Sequence, residues 1–220
     1  MAKRNVFVAA KGSVGVIPVA TEFKWYPGFA LVQNRRCIAS LHEAFLKSCP
    51  KERVLEISRK SPDELGVKLS AFNLKKYVPS IGRSLPVEVV YHAGKVFGEN
   101  GPFLDLYNAE PREAKRDPRL SSSGKITGFW FDGKIYLSTP TTAFYNFIYI
   151  NALLENPELA EGLMEYDAFT DIVFSPQRGR CCQAEAAALY VSLARRGMLT
   201  LCRDFDSFLK VTEGKAALCA

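Results

Sequence analysis

The sequence predicts an α+β fold, mainly helical and single-domain, with a small antiparallel sheet and an N-terminal extension. Three observations lead there. Helical stripes of apolar residues outnumber strand-like runs, the clearest strand signal is one tight hairpin, and no βαβ alternation occurs. With 220 residues, 48% of them apolar and 24% charged, the chain is long enough to bury a core without staples. The expected division is an extension over residues 1–60, of short strands and a helix, followed by a main domain over residues 61–220.

The elements follow from local signals. The first thirty residues are rich in Val, Phe, Tyr and Gly, with turns at Lys11-Gly12-Ser13 and Pro27-Gly28, and read as short strands and loops. Ile38, Leu41, Ala44, Phe45 and Leu46 form the apolar stripe of a helix over residues 38–49. Ser61-Pro62-Asp63-Glu64 starts another, with Ser61 as cap and the acids facing the dipole, and Gly66 ends it. A loop over Leu69-Ser70-Ala71-Phe72-Asn73 follows. Pro86 opens a helix carrying Val87 to Phe97, Gly101-Pro102 breaks the chain, and residues 111–116 form a short charged helix.

Phe129 to Leu137 is a hairpin, because Asp132-Gly133 supports a tight turn between aromatic strands. The longest helix begins at Thr139-Pro140, with Phe144, Phe147, Ile148, Ile150 and Leu154 apolar, and Asn156-Pro157 restarts a helix to Met164. Residues 168–174 read as a strand or an extended loop. Gln183 to Arg196 is a helix stopped by Gly197, and one more helix lies around Phe205 to Leu209.

Composition excludes several functions. No stretch approaches the roughly 20 apolar residues of a membrane span. The opening Met1 to Val8 is basic and then apolar, but breaks at Lys11-Gly12, which argues against a secretory leader and for a cytoplasmic protein with reduced thiols. Six cysteines without a C-x-x-C, and only His42 and His92, offer no zinc spacing, so no metal and no cofactor are expected. A formal charge of +6 favours an anionic partner. The cations lie in scattered pairs such as Arg35-Arg36 and Lys115-Arg116, with Arg178 and Arg180 on a loop, and most such pairs are solvated surface.

The informative segment is Pro86 to Phe97. On a helix, Glu88, Tyr91, His92 and Lys95 share one face, with Glu88 and Lys95 about 10 Å apart along the axis at ~1.5 Å per residue. Lys side chains lean toward the helix start, so the amine and the acid can converge on one ligand. Gly94 mid-helix costs up to about 1 kcal/mol against Ala, a sign of close approach to the backbone. The same stripe also fits the wet side of an amphipathic helix.

Leu69-Ser70-Ala71-Phe72-Asn73, followed by Glu88 and by Lys95 seven residues later, resembles the NADAR family. Lys115-Arg116-Asp117 looks like that family's Gly-Arg-Asp turn, and Tyr166 to Asp171 takes the place of its aromatic-Gly-Asp loop. The likeness to the general family spans Leu69 to Arg196. Phe23 to Phe29, Leu41-His42-Glu43-Ala44 and Phe169-Thr170-Asp171-Ile172 resemble the subgroup encoded beside DarT-type toxins, over nearly the whole chain. Departures are Phe169 where Trp is common, the segment Ser175 to Cys182 in place of a Gly-rich loop, and Ala93-Gly94 where Gln is usual.

The resemblance implies an antitoxin that removes ADP-ribose from guanine bases in DNA, with ADP-ribosylated DNA as substrate, single strands favoured, ADP-ribose as product and a DarT-type toxin as a possible partner. It implies catalytic roles for three residues. Lys95 is the nucleophile or iminium former, its pKa lowered by desolvation; Glu88 shuttles protons and holds a ribose hydroxyl; Asp171 orients the sugar or a water. For ADP-ribose the candidates are Ser70, Phe72 and Asn73 on the loop, Tyr91 and His92 on the helix, and Phe169 for base stacking. Lys115, Arg116, Arg178 and Arg180 are candidates for the diphosphate. Two other readings stay open: an antitoxin that binds its toxin without turnover, and an N-glycosidase of small nucleotide-pathway intermediates.

Overall fold

The chain begins with β1 (Ala2–Ala9), β2 (Val16–Phe23), α1 (Leu31–Ser48), β3 (Val54–Glu56) and α2 (Glu64–Lys68). The middle holds β4 (Lys75–Val78), β5 (Arg83–Pro86), α3 (Val87–Ala93), β6 (Lys95–Val96), α4 (Pro111–Arg116), α5 (Arg119–Ser122), β7 (Gly128–Phe131), β8 (Lys134–Leu137) and α6 (Ala143–Leu154). Then come α7 (Pro157–Leu163), β9 (Ala168–Thr170), α8 (Gln183–Ala194) and α9 (Phe205–Thr212). This computed structural model describes residues 1–175 and 181–213. The fold is α+β. It comprises two compact units, one made of the residues up to Ser70 with those from Pro157 onward, the other of Ala71–Asn156. The break expected at residues 60/61 does not coincide with either unit boundary.

In the first unit a four-stranded sheet runs in the order β2-β1-β9-β3. β1 and β2 form a hairpin in which Ala2 faces Phe23 and Ala9 faces Val16. Residues 1–60 thus supply three of the four strands. β9 is antiparallel to β1 and parallel to β3, with Phe169 between Phe7 and Leu55. All three β9 residues are buried, as a short central strand requires.

Val6 and Phe23 pack with Cys37, Ile38, Leu41 and Phe45 of α1 and with Ala168 and Ile172. The helix starts at Leu31, earlier than its apolar stripe, because its first two turns point Leu31, Val32, Arg35 and Arg36 into solvent. α8 presents Ala184, Ala186, Ala187 and Ala188, all buried, and small side chains allow a close approach to the sheet. Ser192 on α8 accepts from the Gly15 amide at 3.1 Å, which ties down the β1–β2 turn. α2 is capped by Asp63, which accepts from Leu65 N at 2.8 Å; Ser61, the expected cap, instead accepts from Asp63 N. The helix continues past Gly66 to Lys68.

In the second unit α6 is buried on nearly every side, so its sequence shows little amphipathic contrast. β4 and β5 form a hairpin that the sequence does not announce, since its strands are four residues long and each opens with two adjacent polar residues instead of alternating. β6, β7 and β8 form a three-stranded antiparallel sheet. The β7–β8 turn holds Asp132 at φ 49° and Gly133 at φ 82°, the primed geometry expected of Asp-Gly.

Lys76 on β4 is buried, 2.6 Å from Glu155 and 5.0 Å over the Phe131 ring. Glu155 also accepts from the Tyr77 amide at 2.8 Å. Removing one partner strands the other charge, whereas removing both does not. Glu155→Ala should therefore cost about 2 kcal/mol or more in chemical denaturation, and Lys76→Met in the same chain should recover most of it. Equal stability of the single and double variants contradicts this.

Candidate functional site

α3 is seven residues long because Gly94 ends it. A Cβ at Gly94 would collide with the Trp130 carbonyl, and the Trp130 amide donates to the Gly94 carbonyl at 2.6 Å. The close approach expected at Gly94 is thus made by β7, not by a ligand. Lys95 consequently lies on β6, paired with Phe129, and not on the helix that carries Glu88. The expected common helical face stops at His92. The turn over residues 71–74 is fixed to α3 by the Glu88 amide on Ala71 O and the Val87 amide on Leu74 O.

The side chains nevertheless form one line. Lys95 Nζ is 3.0 Å from His92 Nδ1, and His92 Nε2 is 3.2 Å from Glu88 Oε1. The same Glu88 oxygen is 2.7 Å from Lys115 Nζ, which comes from α4. Glu88 and His92 are 5% and 8% exposed, so bulk water screens this line little. Lys95 also stands 4.7 Å over the Tyr91 ring, which stacks on Phe129 at 5.4 Å. Tyr91 is therefore a wall beneath the amine.

Burial alone would raise the Glu88 carboxyl, but the His92 hydrogen bond and the neighbouring positive charge, including Lys115, outweigh it and hold Glu88 down at about 2. Burial pushes His92 below its ordinary 6.5 against the pull of Glu88, and Lys95 and Lys115 push the same way. At neutral pH Glu88 is ionised and His92 neutral. The network then places the imidazole proton on Nε2, donating to Glu88, and leaves the Nδ1 lone pair facing the Lys95 amine.

The other expected residues divide. Lys115 is the counter-cation of Glu88, 5.3 Å over the Phe72 ring, and not a free diphosphate ligand. Arg116 is exposed on α4. Phe72 and Asn73 line an open hollow of about 420 Å³ with Arg83, Tyr107 and Glu110; neither Glu88 nor Lys95 lines it. Ser70 is 1% exposed. Phe169 is fully buried, facing Phe7 and Leu55 in the sheet, so the stacking role expected of it is replaced by a core role. Arg178 and Arg180 lie outside the described residues.

Asp171 sits in the first unit in a cluster the sequence did not single out. Its carboxylate accepts from Val173 N and Phe174 N at 3.0 and 3.1 Å and from Gln183 Nε2 at 2.9 Å. Burial, then the like charge of Glu56, push it up to about 8. Glu56, 1% exposed, accepts from Ser58 Oγ at 2.7 Å, Ile172 N at 2.9 Å and Thr170 Oγ1 at 2.6 Å. Its own carboxyl is raised by burial. His42 Nε2 completes the chain 2.9 Å from Thr170 Oγ1, and burial lowers it to about 4. A lone Glu in a three-residue strand carries no signal in sequence; only the Thr170-Asp171 pair beside it was legible. Among the described residues no group of three His, Cys, Asp or Glu side chains is arranged to hold a metal ion.

Two outcomes follow from these charges. Unfolded Asp171 ionises near 3.8 while the folded carboxyl keeps its proton to about 8, so folding binds a proton in between. The stability of the wild type relative to Asp171→Asn should decline as pH rises from about 4 to about 8, and a pH-independent difference contradicts the assignment. The chain has only two histidines, so their NMR ring titrations are separable. Both should titrate below 6.5, His42 near 4, and Glu88→Gln should lower His92 further; an upward shift refutes the Glu88–His92 bond.

No described helix is long and apolar enough to cross a membrane. No curated protein matches the chain at a significant level. A family model described as the DarT1-associated NADAR antitoxin matches residues 2–218. With that match over almost its entire length, the chain belongs to the family of NADAR antitoxins associated with DarT1.

Proposed function

We propose that this antitoxin is a cytoplasmic enzyme that removes ADP-ribose from ADP-ribosylated guanine in DNA and so reverses a DarT-type toxin. The observation that carries the reading is the line Lys95–His92–Glu88, a primary amine in contact with an imidazole that is backed by a buried, ionised carboxylate. The bond to be cleaved joins the anomeric carbon of the distal ribose to the exocyclic nitrogen of guanine. It is an N,O-acetal, and an amine can exchange into it.

In this reaction Lys95 gives a proton to His92 Nδ1, and the imidazolium so formed is steadied by Glu88 through Nε2. The free amine attacks the anomeric carbon, the carbon–guanine bond breaks, and the departing nitrogen takes the proton back from His92. The sugar–lysine adduct opens to an iminium, and water hydrolyses it to ADP-ribose and the original amine. Glu88 keeps its charge throughout, as its low pKa demands. Lys115 offsets that charge. Asp171 remains a proposed sugar- or water-orienting residue, protonated at neutral pH and therefore able to donate a hydrogen bond.

Multiple-turnover assays on an ADP-ribosylated guanine oligonucleotide test the proposal. The wild type should release many equivalents of ADP-ribose per chain, and faster from single strands, since a duplex base costs a few kcal/mol to expose. Lys95→Arg should lower kcat by about a thousandfold, and His92→Gln by about a hundredfold with little change in KM. Normal turnover by Lys95→Arg rules out the amine role. Release limited to one equivalent or none, with tight capture of the toxin, favours a stoichiometric antitoxin instead.

A further inference from the structure

The chain's positive charge is not evenly spread. Residues 1–51 hold eight Lys and Arg against only Glu22 and Glu43, an excess of six that equals the formal charge of the whole protein. The remaining residues are electrically balanced. Part of this excess is gathered on one structural feature, the β2–α1 connection and the start of α1.

There two of the aromatic rings, Trp25 and Tyr26, carry cations. Arg4 lies 5.7 Å over the Trp25 ring, and Lys24 and Arg36 lie 5.1 and 5.5 Å over Tyr26. Such contacts hold long side chains against the surface, so less entropy is lost when they meet an anion. The connection itself is pinned to α1. The Tyr26 amide donates to Cys37 Sγ at 3.2 Å, the Lys24 amide to Ser40 Oγ at 3.2 Å, and Asn34 Nδ2 to the Phe29 and Ala30 carbonyls at 3.3 and 2.9 Å.

Beside these cations large apolar groups stand in solvent. Phe29 is 100% exposed, Val32 64%, Leu31 43% and Trp25 38%. Exposed aromatics set among ordered cations are the two components of a single-strand platform, where bases stack and phosphates pair. A patch meant for an apolar protein partner would be depleted in charge at its centre, and this one is interleaved with it.

We propose that the face formed by Trp25, Phe29, Arg4, Lys24, Arg35 and Arg36 binds single-stranded DNA, holding the strand that bears the modified guanine. The proposal takes the identity of the strand from the glycohydrolase reading, but its binding test needs no ADP-ribose. The full chain is titrated into a fluorescein-labelled, unmodified oligothymidylate of about 15 nucleotides, and anisotropy is followed across salt concentrations.

Binding should weaken steeply with salt. Arg35→Gln with Arg36→Gln should reduce the slope of log affinity against log salt by about 1.4, two phosphate contacts on a single strand. Phe29→Ala, a fully exposed position where no fold is at risk, should weaken binding about tenfold. Lys95→Arg should bind as the wild type does, so a failed chemical mechanism and a failed binding face give different results. No binding at low salt overturns the proposal. So does unchanged binding in both surface variants, and so does loss of toxin capture alone in those variants, which would make the face a protein interface.

Discussion

The account depends on one constraint: a carboxylate taken out of water must be given its hydrogen bonds and its countercharge. Glu88 is ionised, 5% exposed and held through one carboxylate oxygen by both His92 and Lys115. Satisfying it fixes the His92 tautomer, and that tautomer points a lone pair at Lys95. The amine's environment is thus set two residues away, by a charge that has nowhere else to go. The aromatic wall of Tyr91, Phe129 and Phe144, with centroids 5.4 and 4.5 Å apart along the stack, keeps the line in place.

The first unit solves the same problem differently. Glu56 and Asp171 are two neighbouring acids whose described hydrogen-bond donors are hydroxyls, backbone amides and the Gln183 side chain, with a neutral His42 beyond Thr170. Burial and the like charge of Glu56 both disfavour a second ionised acid there, so Asp171 stays protonated to about 8. One unit thus holds a permanently ionised acid and the other a permanently available acid proton near neutrality. That contrast in environment gives two carboxyl groups separate chemical capacities.

Much of the fold was legible because its signals are local. The Asp132-Gly133 turn, the α4 and α7 starts at Pro111 and Pro157, and the Ala-rich α8 follow from turn chemistry, capping and composition. What the sequence hid was tertiary. Periodicity put Lys95 on the helix, and nothing local reveals that the Trp130 carbonyl occupies the place of a Gly94 side chain and turns the chain into β6. Glu88 and Lys95 were identified by their spacing and by family resemblance. His92 between them was legible only as a neighbour, because its role depends on Nδ1 and Nε2 facing different elements. Phe169 looked like a platform, since an aromatic beside Thr-Asp reads the same whether it faces a ligand or lies at the centre of a sheet. Glu56 gave no signal, because the groups that make it matter are 114 and 116 residues away.

The central claim is that the Lys95 amine becomes bonded to the sugar during turnover. Adding borohydride to the enzyme while it acts on ADP-ribosylated oligonucleotide, followed by intact-mass and peptide analysis, tests it directly. Hydride reduces an iminium to a stable secondary amine, so the account predicts inactivation with ADP-ribose fixed to Lys95 alone, and no adduct in Lys95→Arg. Full turnover with no trapped adduct, or a sugar fixed to a different residue, would contradict it.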